Sequence, residues 1–175
     1  MGRRIMCDAS EKGVYVVNRC LEKGLKINTI KLEQLLIIIN GTMLSLTETP
    51  FFSQNVTAHK HALLIKEVDE DFISSAIRFK EKKEEYIVLL DSEQKIIDSV
   101  IDKYGALDFF ELRRQKTLRC LREICYNADK ENDAPNIVPN DLIKKVFDYY
   151  AFYDFDIVKE KEDSFQKTLK KQYNK

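Results

Sequence analysis

Residues 31–64, KLEQLLIIINGTMLSLTETPFFSQNVTAHKHALL, contain the clearest structural signal in this chain. This stretch begins with an apolar run suited to a helix, which has to end before Pro50, and continues as a shorter segment with partly alternating apolar residues. A helix is predicted over residues 29–47, capped by Asn28 or Thr29. The apolar positions at helical spacing are Leu32, Leu35, Leu36, Ile39, Met43 and Leu46. Ile37 and Ile38 widen this face until most sides are apolar, which predicts a helix at the centre of a domain.

Two further features of the stretch bear on structure and on function. Gly41 costs about 1 kcal/mol against Ala inside a helix, so it predicts a close backbone approach or a bend there. The segment FFSQNVTAHKHALL, residues 51–64, predicts one short strand or a hairpin. If residues 56–62 form a strand, His59 and His61 lie on one face with Lys60 between them. These three residues are candidates for a partner contact, and the alternative is an exposed pair beside the core.

The rest of the chain is mostly helical in pattern, with five Gly and three Pro among 175 residues. Helices are predicted at 10–23, 68–85, 91–104, 108–125 (as one helix or two) and 139–152. Capping pairs are predicted at Asp91–Gln94 and Asp108–Glu111. We therefore expect a mainly α fold, a single compact domain of about six or seven helices with a small β element. The domain is predicted over residues 1–155, followed by a charged helix or tail over 156–175.

Composition narrows the classes of protein that the chain can belong to. Lys plus Arg and Asp plus Glu both number 29, and this zero net charge argues against attraction of the whole domain to nucleic acid or to an anionic membrane. No secretory signal is predicted at the N-terminus, and the apolar run at 35–46 is too short to span a bilayer. A cytoplasmic protein without membrane contact is therefore expected. Its four cysteines (Cys7, Cys20, Cys120 and Cys125) are then reduced, buried residues, and a zinc site built from them and the histidines is the weaker interpretation.

The motifs of the common enzyme classes are missing from the sequence. It contains no nucleophile elbow, no glycine-rich phosphate loop and no HExxH pair, and its carboxylates lie in mixed-charge segments such as EKKEE. We therefore predict a protein without catalytic activity, metal or cofactor.

Two groups of residues remain as candidate contacts. The first is a basic cluster within the helix predicted at 108–125, which suits phosphate contacts and makes nucleic acid an unlikely but open partner. Its members are Arg113, Arg114, Lys116, Arg119 and Arg122. The second is a run of aromatic residues that either forms a partner or homodimer surface or covers the core as the tail folds back. Its members are Tyr149, Tyr150, Phe152, Tyr153 and Phe155.

Several segments, in this order, resemble the Panacea antitoxin-domain family over roughly residues 10–150. The helix of the opening stretch is similar to the Lys-Leu-Gln-Lys-Leu-Leu helix of that family, and the segments after it are similar to its apolar turn and to its Tyr-Gly and closing helices. The matching residues are Lys31, Leu32, Leu35, Leu36, Gly41, Pro50, Phe51, Phe52, Ala58, Lys60, Val100, Tyr104, Gly105 and Leu112, with the helix in IVPNDLIKKVFDYY. Where the family has a Gly-Pro turn, this chain has HALL at 61–64.

The resemblance implies a helical domain of a phage or mobile element that acts by binding. An antitoxin of this kind neutralises a toxin protein encoded beside it. The alternative within the same genetic setting is a counter-defence inhibitor that binds a host defence effector such as a CRISPR nuclease. A nucleic-acid-binding regulator that uses the basic cluster is the third hypothesis.

Overall fold

The computed structural model describes residues 7–74, 89–128, 136–152 and 159–174. Over these residues the chain forms eight helices and one small sheet, so the prediction of a mainly α fold with a small strand element is confirmed. The helices are α1 (Asp8–Glu22), α2 (Thr29–Thr47), α3 (Lys66–Ser74), α4 (Asp91–Tyr104), α5 (Phe109–Arg113), α6 (Lys116–Cys125), α7 (Asn140–Phe152) and α8 (Lys159–Tyr173). The strands are β1 (Val56–Ala58), β2 (Leu63–Leu64) and β3 (Ile137–Val138), antiparallel in the order β2-β1-β3.

Helix α2 lies at the centre of the domain, as its composition predicts. Every residue from 31 to 41 is buried, and α1, α3, α4, α5 and α7 all contact the helix. Asn28 caps it, because Asn28 Oδ1 accepts a hydrogen bond from the N–H of Lys31 at 2.9 Å. Gly41 faces α7, where an added Cβ would lie 2.4 Å from the ring of Phe147. The close approach predicted at this glycine is therefore confirmed.

By length and composition, α2 is also the one helix of the described ranges that passes as a candidate membrane span. The prediction that this segment is too short to span a bilayer counted only the apolar run at 35–46. The helix has 19 residues, so that argument from length is wrong. Within the domain, however, 72% of its 18-residue apolar window is buried, as in a core helix.

Buried polar side chains of α2 form hydrogen bonds with backbone groups of the neighbouring hairpin and of the turn between α4 and α5. Gln34 Nε2 donates to the carbonyl of Leu63 in β2 at 2.7 Å, and Glu33 Oε1 accepts the N–H of Ile65, the residue after β2, at 2.9 Å. In the same helix, Lys31 Nζ donates to the carbonyl of Gly105 at 2.6 Å. Each bond satisfies a backbone group that would be costly to bury unpaired, so together they fix the hairpin and the α4–α5 turn against α2.

The hairpin is shorter than the predicted strand at 56–62. β1 ends at Ala58, whose partner in β2 is Leu63, and residues 59–62 form the turn. His59 N–H donates to the carbonyl of Ala62 at 2.9 Å across that turn. His59 and His61 therefore belong to a turn, and the expectation that they share one face of a strand is wrong.

Helix starts agree with the predicted capping pairs in one case of two. Asp108 and Glu111 form the predicted reciprocal pair at α5, through bonds of 2.9 and 2.8 Å to each other's N–H groups. At α4 the pair predicted from Asp91 to Gln94 is wrong. There Glu93 Oε2 accepts the N–H of Leu90 at 2.9 Å, so the helix begins one residue after Leu90.

The C-terminal segment contains a docked helix. α8 lies against α6, and its Leu169 is buried in the core. The ring of Phe165 stacks on that of Tyr149 with centroids 3.7 Å apart. The boundary predicted between residues 155 and 156 falls outside the described residues.

Candidate functional site

The hairpin turn and the basic helices, predicted separately as candidate contacts, meet at one place on the surface. We call it the hairpin–arginine face. It consists of His59, Lys60, His61, Phe110, Arg113 and Arg122.

Two arginines converge on the tip of the hairpin. Arg113 ends α5 and Arg122 lies in the last turn of α6, and the Nη1 atom of each donates to the carbonyl oxygen of His61 at 3.2 Å. Among the described residues, no carboxylate lies within 4.0 Å of either guanidinium. Two positive charges thus share one neutral acceptor, which leaves most of their hydrogen-bonding capacity for another group.

The electrostatics of the pair show that like charges are held close together. Partial burial lowers the pKa of the Arg122 guanidinium, repulsion from Arg113 and Arg119 lowers it further, and Glu123 opposes both. An anionic group bound here would relieve that repulsion, and an arginine fork matches the geometry of a carboxylate or phosphate.

An aromatic side chain borders the arginines. Phe110 is 59% exposed, and the guanidinium carbon of Arg113 lies 5.5 Å from the centre of its ring. Sequence analysis did not single out Phe110. The signal was available, because Phe109 and Phe110 are adjacent in the first turn of a helix and cannot both face the core.

The hairpin residues of this face differ in exposure. Lys60 and His61 are exposed, whereas His59 is half-buried and its Nε2 lies 2.9 Å from Thr57 Oγ1. The tip of the hairpin therefore offers a lysine and an imidazole beside the arginine pair.

The remaining basic residues do not join this face. Arg119 lies 3.9 Å from Glu162 of α8 and 4.0 Å from Glu123. Lys116 opens α6, and Arg114 is exposed between α5 and α6. The five basic residues predicted as one phosphate-binding cluster are thus divided among different surroundings.

The C-terminal aromatic residues are placed mainly against the core. Tyr150 is 8% exposed, its hydroxyl donates to Glu162 Oε1 at 2.8 Å, and Tyr149 is half-buried against Phe165. Tyr150 therefore belongs to the core covered by α8 and is no free surface for a partner. Phe152 ends α7, and nothing is described of its side chain; Tyr153 and Phe155 lie outside the described residues.

The cysteine thiols are held in their protonated form. Burial raises the pKa of Cys20 to about 11 and the pKa values of Cys120 and Cys125 to about 12. A thiolate is the nucleophile and the metal ligand, so these thiols suit neither role at neutral pH. Over the described ranges, no three His, Cys, Asp or Glu residues are grouped to hold a metal ion.

No family model, curated protein or solved structure matches this chain. The residues that carry the Panacea resemblance can therefore be assessed only by their contacts. Lys31 binds the carbonyl of Gly105, and Gly41 lies against Phe147 of the closing helix. Lys31 and Gly41 are thus buried and stabilise the fold, whereas Lys60 is exposed on the hairpin–arginine face.

Proposed function

We propose that this chain is a non-catalytic protein-binding domain of the antitoxin type, from a phage or mobile element. In this proposal it neutralises a partner protein by binding it through the hairpin–arginine face. The observation that carries the proposal is the convergence of Arg113 and Arg122, without a carboxylate partner among the described residues, beside the exposed ring of Phe110.

The residue types of this face are those that dominate binding energy in protein interfaces. Arginine and aromatic side chains are enriched at interface hot spots because they combine large contact area with directed hydrogen bonds. The partner that fits is a protein with an acidic side chain for the arginine pair and an apolar recess for Phe110. A homodimer stays a prediction. Tyr150 is buried, so it is not available as a contact between two copies of the chain.

The test compares how much partner protein co-purifies with the wild-type chain and with a charge-reversal variant. A tagged chain is expressed in its native host, and co-purified proteins are identified by mass spectrometry. Arg113→Glu with Arg122→Glu should lose the partner. Lys95→Glu with Lys171→Glu changes the net charge equally at exposed positions elsewhere and should retain it. Thermal unfolding of each variant shows that the chain still folds.

Neutralisation is then measured directly. The neighbouring gene is induced alone and with each variant, and growth is followed. Under the antitoxin hypothesis, the neighbouring gene arrests growth and the wild-type chain restores it, while the double arginine variant does not. A partner encoded by the host genome instead would favour the counter-defence inhibitor. Equal binding by the wild type and the double arginine variant would contradict the use of this face.

Nucleic acid is the second candidate partner, because a guanidinium pair also suits phosphate groups. The balanced net charge and the pairing of Arg119 with acidic residues speak against it. Titration of the purified chain with single-stranded and duplex oligonucleotides at several salt concentrations separates the two. Affinity that falls steeply with salt would favour the nucleic-acid regulator.

A further inference from the structure

A cavity of about 440 Å³ opens to solvent between α2, α4, α6 and α7, apart from the hairpin–arginine face. Small-molecule sites in proteins have volumes of about 300–1,000 Å³ and combine apolar walls with a few polar groups. The cavity has this composition, and none of the residues that define it belongs to the hairpin–arginine face.

Part of the cavity lining is apolar and aromatic. The lining includes Phe147 and Tyr150 of α7 and Val100 of α4, and all three are buried in the domain. It also includes Tyr104, the last residue of α4, which is half-buried. These surfaces would contact a flat or apolar body, and they offer little to a fully hydrophilic ligand.

Among the described residues, the charged lining is entirely positive. Lys103 of α4 and Lys116 of α6 line the cavity, and none of the acidic residues in the described ranges does. The acidic neighbour of Lys103 in the chain, Asp102, is 2.6 Å from Lys23 and so has its own cation. Neither Lys103 nor Lys116 has a carboxylate within 4.0 Å in the described part of the chain.

Hydroxyl groups and the start of α6 add further donors. Ser99 and Thr117 line the cavity. Helix α6 begins at Lys116, its N-cap residue Gln115 makes no side-chain capping bond, and its first turn contains no acidic residue. Free N–H groups at a helix start favour an anion. The start of α6 therefore adds to the preference for an anionic group that Lys103 and Lys116 give to the cavity.

We propose that this cavity binds a small aromatic organic phosphate, of the size of a nucleoside monophosphate. Its phosphate group lies between Lys103 and Lys116, and its ring lies against Tyr104 and Phe147. This site is separate from the surface proposed for the protein partner, so either proposal can fail without the other.

The test uses adenosine monophosphate as the probe on the full chain. Isothermal titration calorimetry measures affinity, and amide chemical shifts identify the residues affected. Saturable binding with shifts at 99–104 and 115–117 is expected. Lys103→Ala with Lys116→Ala should weaken it at least about tenfold, because two charge-assisted contacts are lost. Ser99→Trp, at an exposed position on the cavity wall, should abolish it by filling the space.

Controls separate this site from general attraction of anions. Lys95→Ala removes a charge from an exposed position of α4, the helix of Lys103, outside the cavity. It should leave the affinity for adenosine monophosphate unchanged. Inorganic phosphate and adenosine each supply half of the ligand and should bind more weakly than the whole. The proposal is overturned by an absence of saturable binding up to millimolar probe, or by equal affinity in the double lysine variant. Equal binding of phosphate alone or adenosine alone overturns the assigned ligand class.

Discussion

At the scale of single residues, Glu33 is the most unusual group in the domain. It lies in the core on α2 with 1% of its surface exposed, and its Oε2 has no hydrogen-bond partner in the part of the chain that the structure describes. Burial raises the pKa of this carboxyl from 4.5 to about 8; Asp69 adds to the shift, and the hydrogen bond from Ile65 opposes it. The side chain is therefore mainly neutral at pH 7.

This carboxyl predicts how stability depends on pH. Between pH 4.5 and about 8 the native chain keeps a proton that the unfolded chain releases, so the free energy of unfolding falls as pH rises. The loss over this interval is on the order of 4 kcal/mol, and it levels off above pH 8. Glu33→Gln should flatten the dependence and be the more stable protein at pH 9. Urea unfolding at pH 5, 7 and 9 measures the free energy of unfolding of both proteins. If it changed equally with pH in the two, the assignment of this pH dependence to Glu33 would be refuted.

Two helical glycines allow a matched test of packing. Gly41→Ala should destabilise the domain by about 1–3 kcal/mol, because the new Cβ lies 2.4 Å from the ring of Phe147. Gly13→Ala, also buried in a helix, places its Cβ at ordinary contact distances of 3.4–3.6 Å from its neighbours. It should be neutral or stabilising by up to about 1 kcal/mol, because alanine favours the helix.

Chemical denaturation of both glycine variants gives the comparison. If Gly41→Ala were as stable as the wild type, Phe147 would have room to move away, and the close approach of α2 and α7 would not constrain this position.

At the scale of elements, α2 could be predicted from its sequence because its signals are local. The cap at Asn28 and the apolar run after it determine where the helix begins and how it is buried. The strand considered at 56–62 is longer than β1, because the end of β1 depends on pairing with β2 and β3 rather than on the alternation of residues. The contact of Arg113 and Arg122 with His61 joins residues 52 and 61 positions apart, and no local pattern reports it.

The contact of α8 with α7 can be tested by a phenylalanine-to-alanine substitution, and a second substitution of the same kind serves as its control. Phe165→Ala should destabilise the domain by about 1–3 kcal/mol, because it removes the ring stacked on Tyr149. Phe110→Ala removes an exposed ring and should change stability by less than about 0.5 kcal/mol while weakening partner binding. Thermal unfolding and the binding assay distinguish the two effects. Equal loss of stability in both variants would show that Phe110 is structural.

At the scale of the whole molecule, the helices differ in how many neighbours hold them. α2 is surrounded by five helices and the hairpin, whereas α8 contacts α6 and α7. Local opening is easiest where few buried contacts are lost, so amide hydrogens of α8 should exchange before those of α2. Hydrogen exchange followed by mass spectrometry tests this order, and Phe165→Ala should speed exchange in α8 alone. Equal protection of both helices would indicate that the domain opens as one unit.

The attachment of the hairpin to α2 has an evolutionary consequence. Gln34 and Glu33 of α2 bind the backbone at Leu63 and Ile65, while the side chains of Lys60 and His61 in the turn are exposed. Mutations at Lys60 and His61 therefore leave the core intact, so these two positions can change in sequence while the fold is inherited unchanged. A library randomised at both positions should yield folded variants, and under the proposed function these variants should differ in the partners that they bind.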